Sequence, residues 1–91
     1  MANQRTLNVK VITPTQILFQ GLALSLSSKN LMGNFDVLPE HANMITFIEA
    51  MHPIEIRKVD KQKIAFKFPM AIIHVTNNIV TVYSQPEVIK L

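Results

Sequence analysis

The chain has 91 residues, 48% of them hydrophobic, and a net charge of +3, which fits one folded domain spanning 1–91 and excludes a disordered chain. It contains no cysteine, so neither disulfides nor a thiolate zinc site can staple it, and a reducing compartment is the easier home. No apolar run approaches the roughly 18–20 residues of a membrane span, and the opening MANQRTLNVK has no apolar signal-peptide core, so a soluble, cytosolic-side protein is expected.

From the N-terminus onward, period two dominates. Leu7, Val9 and Val11 alternate with Thr6, Asn8 and Lys10, which predicts a strand with one buried face. Thr13-Pro14 ends it. Gly21 precedes LALSLS, where Leu22, Leu24 and Leu26 are expected on one face and Ala23, Ser25 and Ser27 on the other. Leu31 and Met32 fall in a turn, as a partner surface or as packing under the loop. GNFDVLPEHANMIT follows, with Pro39, Glu40 and His41 side by side; Pro39 fixes φ and restricts its predecessor, so this loop presents its side chains in a defined pose.

Ile54 and Ile56 open another strand, and the DKQ of Asp60 to Gln62 separates it from Ile64, Phe66 and Phe68, which share a face. Asn77-Asn78 lies between IIHV and IVTVY; asparagine tolerates positive φ, which suits a tight hairpin loop. Val80 and Val82 then alternate with Thr81 and Tyr83. No stretch shows a sustained helical stripe, so the expected architecture is all-β, an antiparallel sandwich or barrel.

Little in the chain points to catalysis. There is no G-x-S-x-G elbow, and two glycines, Gly21 and Gly33, cannot build a phosphate cradle. His41, His52 and His74 lie far apart without ligand spacing, so no metal site is expected. Glu40-His41 as an acid/base pair lacks a pocket and a substrate to separate its pKa values. One basic stretch, RKVDKQKIAFK, offers Arg57, Lys58, Lys61, Lys63 and Lys67 to single-stranded nucleic acid, the alternative function for this chain. Phe66 shares its face with Ile64 and Phe68, however, which marks it as core, and lysines on a hairpin also guard a sheet edge.

The order VKVITPTQILFQG, then GNFDVLPEHANMITFI, resembles the N-terminal domain of the epsilon subunit of F-type ATP synthases. That family has a T-P turn after its first strand, a Phe before a Gly, and a G-x-x-G-x-x-P-x-H-A loop leading into an apolar strand. The matching residues are Thr13-Pro14, Phe19, Gly21, Gly33, Pro39, His41 and Ala42. Asp36 stands where the family has its second Gly, and Glu40 where a Gly commonly precedes the His. AMHPIEI and FPMAII also lack usual glycines.

The resemblance implies a sandwich of about ten short strands in two sheets. It implies a non-catalytic rotor subunit of the central stalk, without cofactor, on the cytoplasmic face of the membrane or its organellar equivalent, coupling the gamma subunit to the c-ring. Leu31, Met32, Gly33 and Asn34 are carried over as c-ring contacts, and Thr13, His41 and Thr46 as gamma contacts. Asp36, Pro39 and Glu40 are carried over as loop-shaping residues. His41 could instead brace its own loop, Thr13 could serve only the turn, and Thr46 could be an ordinary strand residue. Family members usually continue into two C-terminal helices that restrain hydrolysis and bind ATP; if Leu91 ends the natural protein no such brake is expected, if the sequence is a piece of a longer one the brake lies outside it, and in neither case is ATP binding expected of residues 1–91.

Overall fold

A computed structural model describes residues 5–85, and they contain eight strands and no helix. In order these are β1 (Leu7–Ile12), β2 (Ile17–Asn30), β3 (Gly33–Val37), β4 (Met44–Phe47), β5 (Ile54–Lys58), β6 (Lys63–Phe66), β7 (Met70–Thr76) and β8 (Ile79–Gln85).

Hydrogen bonding links them in the order β4-β7-β8-β1-β2-β5-β6, with β3 beside β2. This single path folds into two layers because β2 belongs to both. Its first half pairs β1 from Ile17 to Ala23, and its second half lies between β3 and β5 from Leu26 onward. One sheet is therefore β4-β7-β8-β1-β2 and the other β3-β2-β5-β6. Among the described residues the family-implied count of about ten strands becomes eight, and β2 is one strand running for 14 residues.

The expected antiparallel pairing holds except in one place: β1 and β8 are parallel, with Val9 opposite Val80 and Val11 opposite Val82. Parallel neighbours need a crossover connection, and here all six intervening strands supply it. Ser84 Oγ donates to the Ile12 carbonyl at 2.8 Å where this pairing ends.

The alternation predicted for β1, β5 and β8 is present: Leu7, Val9, Val11, Ile54, Ile56, Val80 and Val82 are all buried. Leu22, Leu24 and Leu26 do not share a face as expected. The β2–β5 register shifts between Ala23 and Ser25, so Leu24 is an extra residue and the phase inverts around it. Ala23 and Leu26 point inward, while Leu22 is exposed. Phe66 and Phe68 stack, centroids 6.0 Å apart, and both pack against the core.

Turn chemistry agrees with the backbone. Asn77 and Asn78 have φ of 48° and 64°, the two positive values a primed two-residue hairpin needs. In the β2–β3 hairpin the positive φ falls on Gly33, at 118°, leaving Leu31 and Met32 in ordinary conformations. Asp36, at the family's second Gly, lies inside β3 opposite Ser27 and has no positive φ. The left-handed positions are instead Glu40, Met51 and Lys61, at 70°, 59° and 71°. Of these, Glu40 stands where the resemblance puts a glycine, and Met51 lies in the AMHPIEI segment that lacks another.

Candidate interaction face

Register places one residue from each strand of the first sheet in a row across its outer side. Phe47 pairs with Ile72, Ile72 with Tyr83, Tyr83 with Ile12, and Ile12 with Ile17. Four inter-strand steps make this apolar row about 19 Å wide. Phe47, Tyr83 and Ile17 are exposed and Ile12 and Ile72 half-buried, although no polar residue interrupts them. The next row, Ile45, His74, Thr81, Lys10 and Gln20, is largely polar.

A continuous apolar row open to water is costly: at about 25 cal/mol per Å², it leaves several kcal/mol of transfer free energy unrealised until something covers it.

The row continues around the sheet edge. Leu31 and Met32, 103% and 94% exposed at the β2–β3 turn, line a depression of about 220 Å³ together with Asn30, Ile45, Thr46 and Phe47. Asn30 fixes this corner: its side-chain carbonyl accepts from the Met32 amide at 2.8 Å, and its amide donates to Thr46 Oγ1 at 2.8 Å. The tips thus stand out because the residue beneath them is tied down. Gly33 opens β3, and exposed Asn34 pairs with Lys29.

The residues carried over as gamma contacts do not form one cluster. Thr13 is buried in the β1–β2 turn, where its hydroxyl accepts from the Gln16 amide at 3.1 Å, and it adjoins Ile12 at one end of the row. Thr46 points to the same side as Ile73, inward, between the outward side chains of Ile45 and Phe47 at the row's other end. His41 sits in the loop from Leu38 to Asn43, beyond the opposite end of β7 and β8.

That loop is held as a unit. Its Glu40 amide donates to Asn78 Oδ1 at 2.6 Å, Glu40 Oε2 accepts from Asn78 Nδ2 at 3.0 Å, and Asn43 Oδ1 accepts from the Asn77 amide at 3.3 Å. His41 adds a local bond, Nδ1 to the Ala42 carbonyl at 2.7 Å, and its amide reaches Leu38 O across Pro39. Arg5 meets Glu40 at 3.3 Å, but both are largely exposed, so the pair contributes at most about 1 kcal/mol.

Among the described residues no three His, Cys, Asp or Glu side chains are grouped to hold a metal. His52 lies 3.8 Å from Glu49, and His74 pairs with Ile45 and Thr81 in the outer polar row.

Ile12, Ile17, Ile72 and Tyr83 were not foreseen as functional from their own strands. The available signal was apolar residues on both faces of one strand, as in Ile72-Ile73 or Ile45, Phe47 and Met44, since a strand buried on one side needs only alternation.

Residues 6–86 match the family described as ATP synthase, delta/epsilon chain, β-sandwich domain. The ATP synthase epsilon chain of Rickettsia bellii is 31% identical over 81 residues, covering 88% of this chain and 75% of that one. The epsilon chain of Sulfurimonas denitrificans is 40% identical over 55 residues, covering 60% of this chain. This chain spans 42% of that relative's length. Among solved structures, a chain of the Euglena gracilis mitochondrial ATP synthase OSCP/F1/c-ring assembly superposes with TM-score 0.79 at 12% identity, covering 87% of this chain and 50% of that one. A chain of the Tetrahymena thermophila ATP synthase central stalk and c-ring gives 0.73, also at 12%, covering 92% and 66%. At that identity the two superpositions establish the fold, and the sequence matches establish the kinship: the chain belongs to the ATP synthase delta/epsilon chain family, of which it carries the β-sandwich domain.

Proposed function

We propose that this sandwich works as a non-catalytic subunit of the central stalk of a rotary ATP synthase, joining the gamma subunit to the c-ring. The observation that carries the reading is the apolar row Phe47-Ile72-Tyr83-Ile12-Ile17, an uncovered strip on a domain whose relatives are named ATP synthase epsilon chains. Gamma covers that row, flanked by Thr13 and Thr46, and His41 contributes from the loop end. The tip Leu31-Met32-Gly33-Asn34 meets the c-ring, where two apolar side chains on a braced turn can seat among loop residues of the ring.

Such a part needs stiffness and two contact surfaces, with no reacting group. Close-packed interiors compress little, so a two-sheet body passes on displacement. No helix among the described residues is long and apolar enough to cross a membrane.

The reading is tested by expressing the chain with gamma and with a detergent-solubilised c-ring. Wild type is expected to copurify with both, and the pair Leu31→Ser and Met32→Ser to lose about tenfold in c-ring affinity with a smaller loss for gamma, whose contact rests mainly on the row. Failure to bind gamma at all would reject the assignment. Tight, salt-sensitive binding of an oligonucleotide through Arg57, Lys58, Lys61, Lys63 and Lys67 would replace it with the nucleic-acid function.

A further inference from the structure

We infer that the open edge of β4 receives an extended segment of the gamma subunit as an added strand, an inference that rests on the stalk reading above. The phase of the β4–β7 ladder decides which backbone groups are free. Ile48 donates its amide to the Ala71 carbonyl at 3.0 Å, continuing the register in which Met44 opposes Val75 and Thr46 opposes Ile73. In an antiparallel ladder alternate residues bond the same neighbour. Met44, Thr46 and Ile48 therefore face β7, and the N–H and C=O groups of Ile45 and Phe47 face away from it.

One step further in the same phase, Glu49 donates to the Lys29 carbonyl at 2.8 Å. The outward edge is thus already in use just beyond Phe47, and β4 itself pairs only β7. Thr46 Oγ1 offers the Phe47 carbonyl one long contact of 3.4 Å.

The first sheet ends in β4 and in the first half of β2, the second in β3 and β6, and both ends of the second are defended against strand addition. β6 carries Lys63 and is flanked by Lys61 and Lys67, and β3 carries Asp36. β4, reading MITF, has no charge and no proline, and exposes Ile45 by 70% and Phe47 by 64%. Its edge opens onto the depression whose other bank is Asn30, Leu31 and Met32. An extended chain lying there finds backbone partners on one side and apolar side chains on the other, the combination by which sheet edges capture peptides. The segment is uncharged at its centre and apolar at alternate positions.

Area selects the occupant. A stable interface needs roughly 20 residues a side, and this groove supplies six. A second copy joined β4 to β4 would extend the sheet sideways and leave Tyr83, Ile12 and Ile17 open. A larger partner whose strand lies on β4 and whose body covers the row buries both, because Phe47 belongs to each.

Amide hydrogen exchange on the chain alone and bound to gamma tests this, with calorimetry on two variants. Ile45→Pro removes an outward N–H and no β7 bond, as edge prolines do; Ile45→Ala keeps that donor. The amides of Ile45 and Phe47 are expected to exchange fast in the free chain and on the order of a hundredfold slower in the complex. Ile45→Pro should weaken gamma binding about tenfold more than Ile45→Ala does. If both amides stay fast in a complex of wild-type affinity, the added strand is wrong and the stalk reading stands. If gamma does not bind, both fall. Slowing of these amides in the isolated chain as its concentration rises would make a second copy the occupant and overturn the inference.

Discussion

The two outer faces of this sandwich are built from the same pleat and differ in nearly every residue that points outward. On the first sheet a row of Phe47, Ile72, Tyr83, Ile12 and Ile17 crosses five strands. On the second, the corresponding outward rows are Asp36, Ser27, Glu55 and Ala65, and then Arg57 with Lys63. The polar face also holds the larger hollow, about 470 Å³ against about 220 and 310 Å³ for two depressions beside Leu31, lined by Ser27, Asn34, Asp36, His52 and Glu55 among others. Size alone would choose the side opposite the proposed one. In the polar hollow Ser27 already donates to Asp36 and the remaining polar groups can bond to solvent; on the apolar row only the Tyr83 hydroxyl offers solvent a partner.

The most direct way to break this comparison is to exchange the character of the two faces. Phe47→Asp puts a carboxylate at the β4 end of the surface assigned to gamma, where the row meets the open edge, and should lower gamma affinity by about a hundredfold with an unchanged melting temperature, because Phe47 lies outside the core. Glu55→Ala combined with Arg57→Ala on the opposite face should leave affinity within about twofold. A calorimetric titration of both variants checks this; equal losses would mean that the faces are not distinguished in the way their chemistry predicts.

A smaller effect sharpens the boundary of the apolar face. Asn78→Ala removes the clamp on Glu40 and puts alanine at a φ of 64°, so denaturant unfolding should show a loss of about 1–2 kcal/mol. Gamma affinity should move by less than about threefold, since the loop lies away from the row. Should affinity fall with stability, His41 and its loop carry more of the interface than the row's position allots them.

The smallest change concerns the corner joining the two faces. Met51 lies between β4 and β5, holds φ of 59°, and is bonded through its amide to the Phe68 carbonyl at 2.8 Å, with an exposed side chain. Met51→Gly keeps the bond and relieves the left-handed strain, offset in part by unfolded-state entropy, for a gain of roughly 0.5–1 kcal/mol in thermal unfolding.

Much of the scaffold is legible in the sequence. Val9 with Val11, Ile54 with Ile56, and Val80 with Val82 reveal their strands because each is a local pattern of period two. The Asn77-Asn78 hairpin is legible for the same reason, as its conformational demand sits in two adjacent residues. Leu22 and Leu24 were misplaced because a bulge is fixed by the neighbouring strand, here β5, and leaves no mark in the alternation of β2 itself. Glu40 was singled out at a position favouring glycine, but its bond to Asn78 joins residues 38 apart, beyond any local pattern.

The candidate site was legible at its tip and hidden along its length. Leu31 and Met32 stand out as apolar residues in a turn, and the structure leaves them almost fully exposed. The row behind them takes single residues from β4, β7, β8, β1 and β2, so it exists only once the strand order and the parallel β1–β8 register are known. The same dependence on register conceals the open amides of Ile45 and Phe47.

The 14-residue strand β2 has a mechanical meaning beyond its topology. In a sandwich whose layers meet only through side chains, a sideways load can be absorbed by sliding one layer over the other. Here one uninterrupted backbone is woven into both, so torque applied at Ile17 reaches the tip at Leu31 along covalent bonds. On the stalk function proposed above, the consequence is that the two sheets cannot slide past each other without distorting β2 itself, so the ends at Ile17 and Leu31 move together.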